Sequence, residues 1–459
     1  MQTGGIGSRA IGGAMIPRRR ALRALSTITG DLEIREVPDP YRRGMGMGNV
    51  ERSATRVQGF PSGELDFQLM RVLGACSSGG GSPGEIMAAR SRVADHDPAR
   101  WPEAFAATAD NLLEKADVAM ARGHGVSARG HLLRAANYFR SAEYFSDPYG
   151  AEAQRLGLAS RDAFVRAAAQ LPFVVQPVDI PFEGAELPGY LVVPPGVSGA
   201  NKAVICMTGF DGTAEELYFE TAFDAVQRGF TVLIAEGPGQ VGTMRRYPDL
   251  VFRPDYETPV GAIVDFALSC REIDPDRLAL YGISFGGYFA TRTAAYDGRI
   301  KALIANAPIS DMHAYLSGLA SAGFGMDASG GDIRLDEIDQ VPADVLPTTT
   351  RLAFKAVCRR YGVASFSEWM AALKAYRVED LSLIGCPSLA LGGAGEGDET
   401  LRQIEAFAAS VTGPVTTRIF ETREGADMHC QMGNYPLSNA VVYDWLDETF
   451  GKSSAATRR

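Results

Sequence analysis

The chain has 459 residues, of which 46% are hydrophobic and 22% are charged, and its formal net charge is −10. This length exceeds the size at which one hydrophobic core usually stops growing, so we expect a catalytic domain and a smaller accessory domain. The acidic charge excludes non-specific attraction to nucleic acid, whose phosphates would be repelled, and it favours small-molecule partners.

Cysteine usage and hydropathy indicate the compartment. The six cysteines are scattered singly, without the spacing of a zinc site or a compact disulfide framework, which predicts free thiols in a reducing environment. No run approaches the roughly 18 apolar residues of a membrane span, and the basic cluster at residues 18–20 precedes no apolar signal core. We therefore expect a cytoplasmic protein that does not enter membranes, with the start at Met1 or Met15 left open.

The first 172 residues divide into two parts. Residues 1–95 are predicted to form an N-terminal arm, partly extended, because about the first 60 are rich in Gly, Arg and Ser and lack sustained periodicity. Residues 96–172 contain Ala-rich stretches with apolar residues three and four apart, such as AFAATADNLLEKADVAMARG. This spacing predicts a helical cap domain.

Residues 173–452 have the pattern of an α/β catalytic domain. Short apolar or β-branched runs alternate with helical stretches, which predicts a mostly parallel sheet with right-handed crossovers. The seven predicted strands lie in VVQPVDIPF, LPGYLVVP, KAVICMTG, FTVLIAEG, RLALYGIS, KALIANAP and CPSLALGG. A helical insertion is predicted at residues 310–384, after the sixth of these strands, where it would cover the carboxyl edge of the sheet.

The strongest motif is the G-I-S-F-G sequence centred on Ser284, between the apolar run RLALY and the helical stretch GYFATRTAAY. A strand, a tight G-x-S-x-G turn and a helix form a nucleophile elbow, in which the glycines relieve crowding and the serine hydroxyl projects above the sheet. A second match, G-G-S-P-G around Ser82, has no preceding strand. The context therefore selects Ser284 as the candidate nucleophile.

A serine hydroxyl needs a base to take its proton and an acid to orient that base, in the chain order Ser, acid, His. Of the two histidines after Ser284, His429 lies in a loop before the last amphipathic helix, where such a base is expected, whereas His313 is a candidate pocket or structural residue. The acid should follow the strand LALGG. Asp398 is the first choice and Glu396 the alternative.

Catalysis also requires hydrogen-bond donors for the developing oxyanion. One candidate is the backbone N–H of Phe285, directly after the nucleophile, and the other is the N–H of Phe210, in the loop that follows the strand KAVICMTG. Asp211 in the same loop is a candidate pocket residue. No histidine cluster resembles a metal site, so we expect catalysis without a metal or other cofactor.

Several segments together resemble the FrsA-like branch of the α/β-hydrolases, which includes fungal "yellowish-green" polyketide-shortening hydrolases and the bacterial 2,6-dihydroxypseudooxynicotine hydrolase. The resemblance spans about residues 100–450. The segments are ARGHLLRAANYFRSAEYF, EGPGQVGTMRRYPDLVFRPDYETPV, ALYGISFGGYFATRTAAYDGRIKALIANAPISD and GADMHCQ.

This resemblance implies an α/β-hydrolase core with a mostly parallel sheet, capped by a helical N-terminal domain. It also implies hydrolysis of a carbon–carbon bond next to a ketone, a homodimer, and the positions of nucleophile, acid and base at Ser284, Asp398 and His429. The loop GAGEGDE departs from the expected pattern and leaves the choice between Glu396 and Asp398 open.

Two further pocket candidates come from other parts of the chain. Arg253 lies in a segment, RPDYE, that resembles the family's RPDWE, where a substrate contact and a structural ion pair are equally compatible with the sequence. Tyr138 belongs to a group of cap aromatics that could face a polyketide-like or aromatic substrate or form plain core. The group comprises Tyr138, Phe139, Tyr144 and Phe145.

The sequence therefore predicts a serine hydrolase acting on a carbonyl of a small, aromatic or polyketide-like substrate, by C–C or ester cleavage. The same acyl-serine chemistry would serve an acyltransferase or a cyclase. The hypothesis from a different class is a non-catalytic scaffold, since a fold does not guarantee activity. A missing nucleophile or base would favour it, but both Ser284 and His429 are present.

Overall fold

A computed structural model describes residues 59–323, 334–341 and 346–456, without the side chains of 319–323 and 452–456. The first 58 residues of the predicted arm lie outside this description. Within the described residues, no helix is both long enough and apolar enough to cross a membrane.

Eight strands form one sheet in the order β1-β2-β4-β3-β5-β6-β7-β8. The pairs β1–β2 and β2–β4 are antiparallel, and the other neighbours are parallel. The strands are β1 (Val174–Phe182), β2 (Ala185–Val193), β3 (Ala203–Met207), β4 (Thr231–Ala235), β5 (Leu278–Ile283), β6 (Ala302–Asn306), β7 (Ser388–Gly393) and β8 (Val415–Phe420). The predicted α/β-hydrolase fold with a mostly parallel sheet is confirmed.

The central strands are apolar because both faces of the sheet are covered. In β3, Val204 and Cys206 belong to one buried cluster, which also contains the N-terminal helices, and Ile205 and Met207 belong to the other. This is the period-two alternation of a strand between two layers. The seven predicted runs are all strands, but β8 was not predicted, because most of its residues at the sheet edge are partly or fully exposed.

Among the described residues, five helices precede the sheet, and nine follow later in the chain. The first five are α1 (Gly63–Gly74), α2 (Pro83–Arg90), α3 (Trp101–Ala121), α4 (Gly125–Tyr144) and α5 (Ala151–Ala168). The others are α6 (Ala214–Leu217, continued by the π-helical turn Tyr218–Ala222 and by Phe223–Gln227), α7 (Val241–Arg246), α8 (Glu257–Ser269), α9 (Phe285–Tyr296), α10 (Met312–Gly323), α11 (Thr348–Tyr361), α12 (Phe366–Leu373), α13 (Asp398–Ser410) and α14 (Tyr435–Ala456). Short 3-10 helices occur at Ala75–Ser78, Pro98–Arg100, Pro275–Arg277, Ile338–Gln340, Leu381–Leu383, Thr422–Glu424 and His429–Gln431.

The N-terminal helices form a layer with its own aromatic centre. Trp101 on α3 is fully buried, stacks on Phe105 at a ring-centroid distance of 4.7 Å and donates its indole N–H to the Ser141 carbonyl at 3.1 Å. Burying a large aromatic side chain stabilises a fold by about 1.5–3 kcal/mol. The helical nature predicted for residues 96–172 therefore corresponds to α3, α4 and α5.

The description of residues 1–95 as a partly extended arm does not fit the part that the structure describes. Residues 63–90 contain α1 and α2, and Phe60 packs 5.7 Å from the Trp101 ring. Helix α1 begins after Ser62, whose hydroxyl accepts the Leu65 N–H, and it buries Leu65 and Leu69 on one face. The apolar pattern of this helix is short and follows a Gly-rich stretch. The sequence alone therefore did not indicate the helix.

The predicted helical insertion after β6 is present as α10, α11 and α12 in its described part. It returns the chain to the sheet at β7. Its helices face the carboxyl edge of the strands, where they contribute the wall of the cavity described below.

Candidate active site

Ser284 occupies a strained turn between β5 and α9. Its φ and ψ angles are 60° and −125°, a region that non-glycine residues rarely adopt and that is typical of a nucleophile elbow. Its N–H donates to the Asn306 carbonyl at 2.6 Å. A Cβ added at Gly286 would lie 2.6 Å from the Met207 carbonyl oxygen, so this position accepts only glycine without a backbone shift.

A hydrogen-bonded relay joins three side chains from separate loops. His429 Nε2 lies 2.9 Å from Ser284 Oγ, and His429 Nδ1 lies 2.6 Å from Glu396 Oε2. A carboxylate at Nδ1 favours the tautomer with its proton there, which leaves Nε2 free to accept the serine proton. Glu396 is 4% exposed, and its other oxygen accepts the Gly393 N–H at 2.8 Å.

The geometry corrects the first choice of acid. Asp398 is exposed as the first residue of α13, whereas Glu396 is buried in the turn between β7 and that helix. A single residue separates them, Gly397 with φ of 86°, and the chain enters α13 at Asp398. The alternative acid, Glu396, therefore becomes our candidate.

The loop after β3 lies directly against the nucleophile. A Cβ added at Gly209 would lie 2.9 Å from both Ser284 Oγ and the Phe285 nitrogen. Gln240 holds this loop, since its amide N–H donates to the Thr208 carbonyl at 2.7 Å and to the Gly209 carbonyl at 3.2 Å. The loop is therefore where a second oxyanion donor is expected, and the N–H groups of Phe285 and Phe210 remain our candidates.

A cavity of about 370 Å³ opens above Ser284 and is lined mainly by apolar and aromatic side chains. Helix α4 and the following segment contribute Tyr144 and Phe145, and the insertion contributes Leu352, Trp369 and Met370. Ser284, Glu396 and His429 also line it. A cavity of this size and composition is typical of sites for small organic ligands.

The predicted pocket residues divide into one that lines this cavity and three that do not. Asp211 lines it, whereas Tyr138, Arg253 and His313 are not among its described lining residues. The Tyr138 hydroxyl is buried in the helical layer, where it donates to Glu85.

The other two residues have different positions. Arg253 forms ion pairs with Asp255 and Glu183, which supports the structural alternative. His313 follows Met312 on α10, and it is Met312 that faces the cavity. The cap aromatics are likewise divided, since Phe139 is buried core and does not line the cavity.

Comparison with known proteins assigns the family. The prolyl oligopeptidase family matches residues 218–327, which include the elbow. Hydrolase LUC6 of Fusarium sp is 32% identical over 424 residues, which cover 85% of this chain and 98% of that protein. This chain belongs to the same α/β-hydrolase family.

A second relative agrees with this assignment, and a solved structure shares the fold. Hydrolase ORFZ of Pyricularia oryzae is 30% identical over 413 residues, which cover 84% of this chain and 96% of that protein. The crystal structure of 2,6-dihydroxy-pseudo-oxynicotine hydrolase has a TM-score of 0.61 and 23% identity, covering 82% of this chain and 95% of that one. The family resemblance inferred from the sequence motifs is thus confirmed.

This α/β-hydrolase carries a buried ionic cluster beside the catalytic loops, which the sequence did not reveal. Arg71 on α1 pairs with Glu216 at 2.6 Å and with Asp211 at 3.2 Å, and Arg140 on α4 pairs with Glu216 at 3.0 Å. Glu220 also lines the cavity, and burial raises its pKa to about 8. The cluster ties the helical layer to the loop that carries Asp211.

Proposed function

We propose that this hydrolase cleaves an acyl bond through a covalent acyl-Ser284 intermediate. The relay Ser284–His429–Glu396, with contacts of 2.9 and 2.6 Å, is the observation that carries the proposal. In this arrangement His429 is the general base and Glu396 stabilises the imidazolium that forms. A non-catalytic scaffold has no need of such a relay in the floor of a cavity.

Each step of the proposed reaction includes the transfer of one proton to or from His429. The Ser284 hydroxyl proton passes to His429 Nε2 as Oγ bonds to the substrate carbonyl carbon, and the carbonyl oxygen becomes the oxyanion. Collapse of this intermediate breaks the bond to the leaving group, which receives the proton from His429. Water then attacks the acyl-serine with the same proton transfers, which releases the acid and restores the hydroxyl.

The cavity supports the substrate class that we propose. Its volume of about 370 Å³ and its aromatic lining support a small aromatic or polyketide-like molecule. Ester cleavage releases an alkoxide, whereas cleavage next to a ketone releases a carbanion that is stable only as an enolate or electron-rich arene. Interception of the acyl-serine by an alcohol or an amine would instead give acyl transfer, which product analysis distinguishes.

Labelling with a fluorophosphonate followed by intact-protein mass spectrometry tests this proposal. We expect one adduct, mapped to Ser284, in the wild type and in Ser82→Ala. Ser82 is the matched control because it lies in the other G-x-S-x-G sequence. The adduct should be absent in Ser284→Ala and should form at least about a hundredfold more slowly in His429→Ala.

Circular dichroism would confirm that each variant is folded. Equal labelling of the wild type and of Ser284→Ala, or an adduct that depends on Ser82, would contradict the proposed nucleophile. Labelling that is unaffected by His429→Ala would contradict the proposed base.

A further inference from the structure

Among the residues that the structure describes, four arginines line the cavity, and three of them have carboxylate partners. Arg71 and Arg140 share Glu216, Arg71 also pairs with Asp211, and Arg245 pairs with Glu143. These pairs neutralise the three charges within the protein. Buried charges that are paired in this way contribute to the shape of a site more than to its net charge.

Arg360, from α11 of the insertion, is different. Its side chain is 7% exposed and lines the cavity, but it forms no ion pair with any residue that the structure describes. One terminal nitrogen donates to the Phe210 carbonyl, and the guanidinium carbon lies 4.6 Å from the Phe210 ring centroid and 5.9 Å from that of Tyr149. The Nε atom is buried without a partner.

An unpaired, buried guanidinium is costly, because a charge removed from water needs either an opposite charge or a full set of hydrogen bonds. The Phe210 carbonyl, the Tyr149 hydroxyl and the two aromatic rings compensate only part of this cost, because Nε keeps no hydrogen-bond partner. A planar anion with two oxygens would supply what is missing, since guanidinium forks match the geometry of carboxylates.

We propose that Arg360 binds an oxyanion of the substrate, either a carboxylate or the enolate oxygen of a 1,3-dicarbonyl group. The inference deepens the proposed hydrolase function and rests on it. Arg360 is therefore a specificity-determining residue. The substrate either carries a carboxylate at one end of an otherwise apolar body or develops the enolate charge there as the C–C bond breaks.

The position of Arg360 relates this anion to the reacting carbonyl. Arg360 holds Phe210, and the adjacent Gly209 lies against Ser284, so the charge is close to the oxyanion loop. In a 1,3-dicarbonyl substrate, Ser284 adds to one carbonyl of the neutral keto form. As the bond from that carbonyl carbon to the central carbon breaks, its electron pair moves to the central carbon and onto the second carbonyl oxygen. Arg360 stabilises that oxygen until the carbon takes the proton from His429.

Ligand binding to Ser284→Ala tests the proposal without requiring the nucleophile, so its failure is distinguishable from failure of the labelling experiment. The probes are benzoate, the neutral benzamide of the same shape, and benzoylacetone as a 1,3-dicarbonyl compound. Affinities are measured by isothermal titration calorimetry for Ser284→Ala and for the same protein with Arg360→Met or Arg360→Lys.

We expect Arg360→Met to weaken binding of benzoate, of ionised benzoylacetone or of both by about tenfold or more, with Arg360→Lys intermediate, while benzamide changes less than about twofold. If the substitutions of Arg360 weaken the binding of benzoate alone, the site binds a carboxylate. If they weaken the binding of benzoylacetone, and its affinity rises with pH only when Arg360 is present, the site binds an enolate. Unchanged affinities for both anions would overturn the proposal. Equal weakening of the binding of all three ligands would also overturn it, because it would assign Arg360 a purely structural role.

Discussion

The two acidic residues after β7 differ in what their side chains can reach. Glu396 is buried and receives hydrogen bonds from His429 and from the Gly393 backbone, whereas Asp398 is exposed at the start of α13. The longer glutamate side chain also spans the distance from the turn to the imidazole. The contrast between Glu396 and Asp398 therefore provides a test at the scale of single residues.

Glu396→Gln should lower kcat/KM for an activated ester by roughly 10²–10⁴-fold, because a neutral amide neither stabilises the imidazolium nor enforces the proton on Nδ1. The loss should appear mainly in kcat. Steady-state kinetics with a p-nitrophenyl ester measures it.

Asp398→Asn is the matched control for this substitution, and we expect its kcat/KM to stay within about twofold of the wild type. A large loss in Asp398→Asn with little change in Glu396→Gln would reverse the assignment of the acid.

At the scale of elements, helix α1 is joined to the catalytic domain by a buried charge. Arg71 is 4% exposed and donates two hydrogen bonds of 2.6 Å to Glu216, on helix α6 after the loop that follows β3. Helix α1 therefore belongs to the enzyme's core structure. Its role follows from a contact between residues 145 positions apart, which no local pattern indicates.

Arg71→Met should reduce the free energy of unfolding by about 3–5 kcal/mol, because it leaves Glu216 buried with one guanidinium partner fewer. Urea denaturation followed by circular dichroism measures this change. Arg100→Met is the control, since Arg100 pairs with Glu103 at an exposed position, and its effect should be within about 0.5 kcal/mol. Equal effects of the two substitutions would contradict the role of the buried cluster.

At the scale of the whole molecule, the buried carboxyl of Glu220 makes stability depend on pH. Burial and the neighbouring Glu216 raise its pKa from 4.5 to about 8, although Arg71 and Arg140 act in the opposite direction. One of its oxygens has no hydrogen-bond partner, and the other accepts from the Tyr435 hydroxyl at 3.3 Å. The folded protein thus holds this proton more strongly than the unfolded chain does.

The contribution of Glu220 to stability is therefore fully present below about pH 4.5 and is lost as the pH rises through about 8. Glu220→Gln cannot ionise and escapes this loss. Its melting temperature relative to the wild type should increase by about 2 °C or more between pH 5 and pH 8.

Differential scanning calorimetry across that range measures the difference. Asp398→Asn, at an exposed position, should show no such trend relative to the wild type. A difference between Glu220→Gln and the wild type that does not change with pH would contradict the raised pKa.

Local patterns in the sequence were sufficient for the fold and for two members of the candidate relay. Buried parallel strands are continuous apolar runs, and the G-x-S-x-G turn lies between a strand and a helix, so Ser284 could be selected over Ser82. The chain order of the relay then selected His429. The same patterns did not predict edge strand β8, because its partly exposed residues do not form a continuous apolar run.

Tertiary structure alone decided the remaining features. The choice of Glu396 over Asp398 depends on the direction of two side chains in one turn. Whether the charge of Arg360 is paired depends on which carboxylates lie near it after folding. The position of helix α1 depends on the ion pair between Arg71 and Glu216, which are far apart in the sequence. Sequence patterns report the periodicity of neighbouring residues, whereas these features arise from contacts between distant segments and from side-chain orientation.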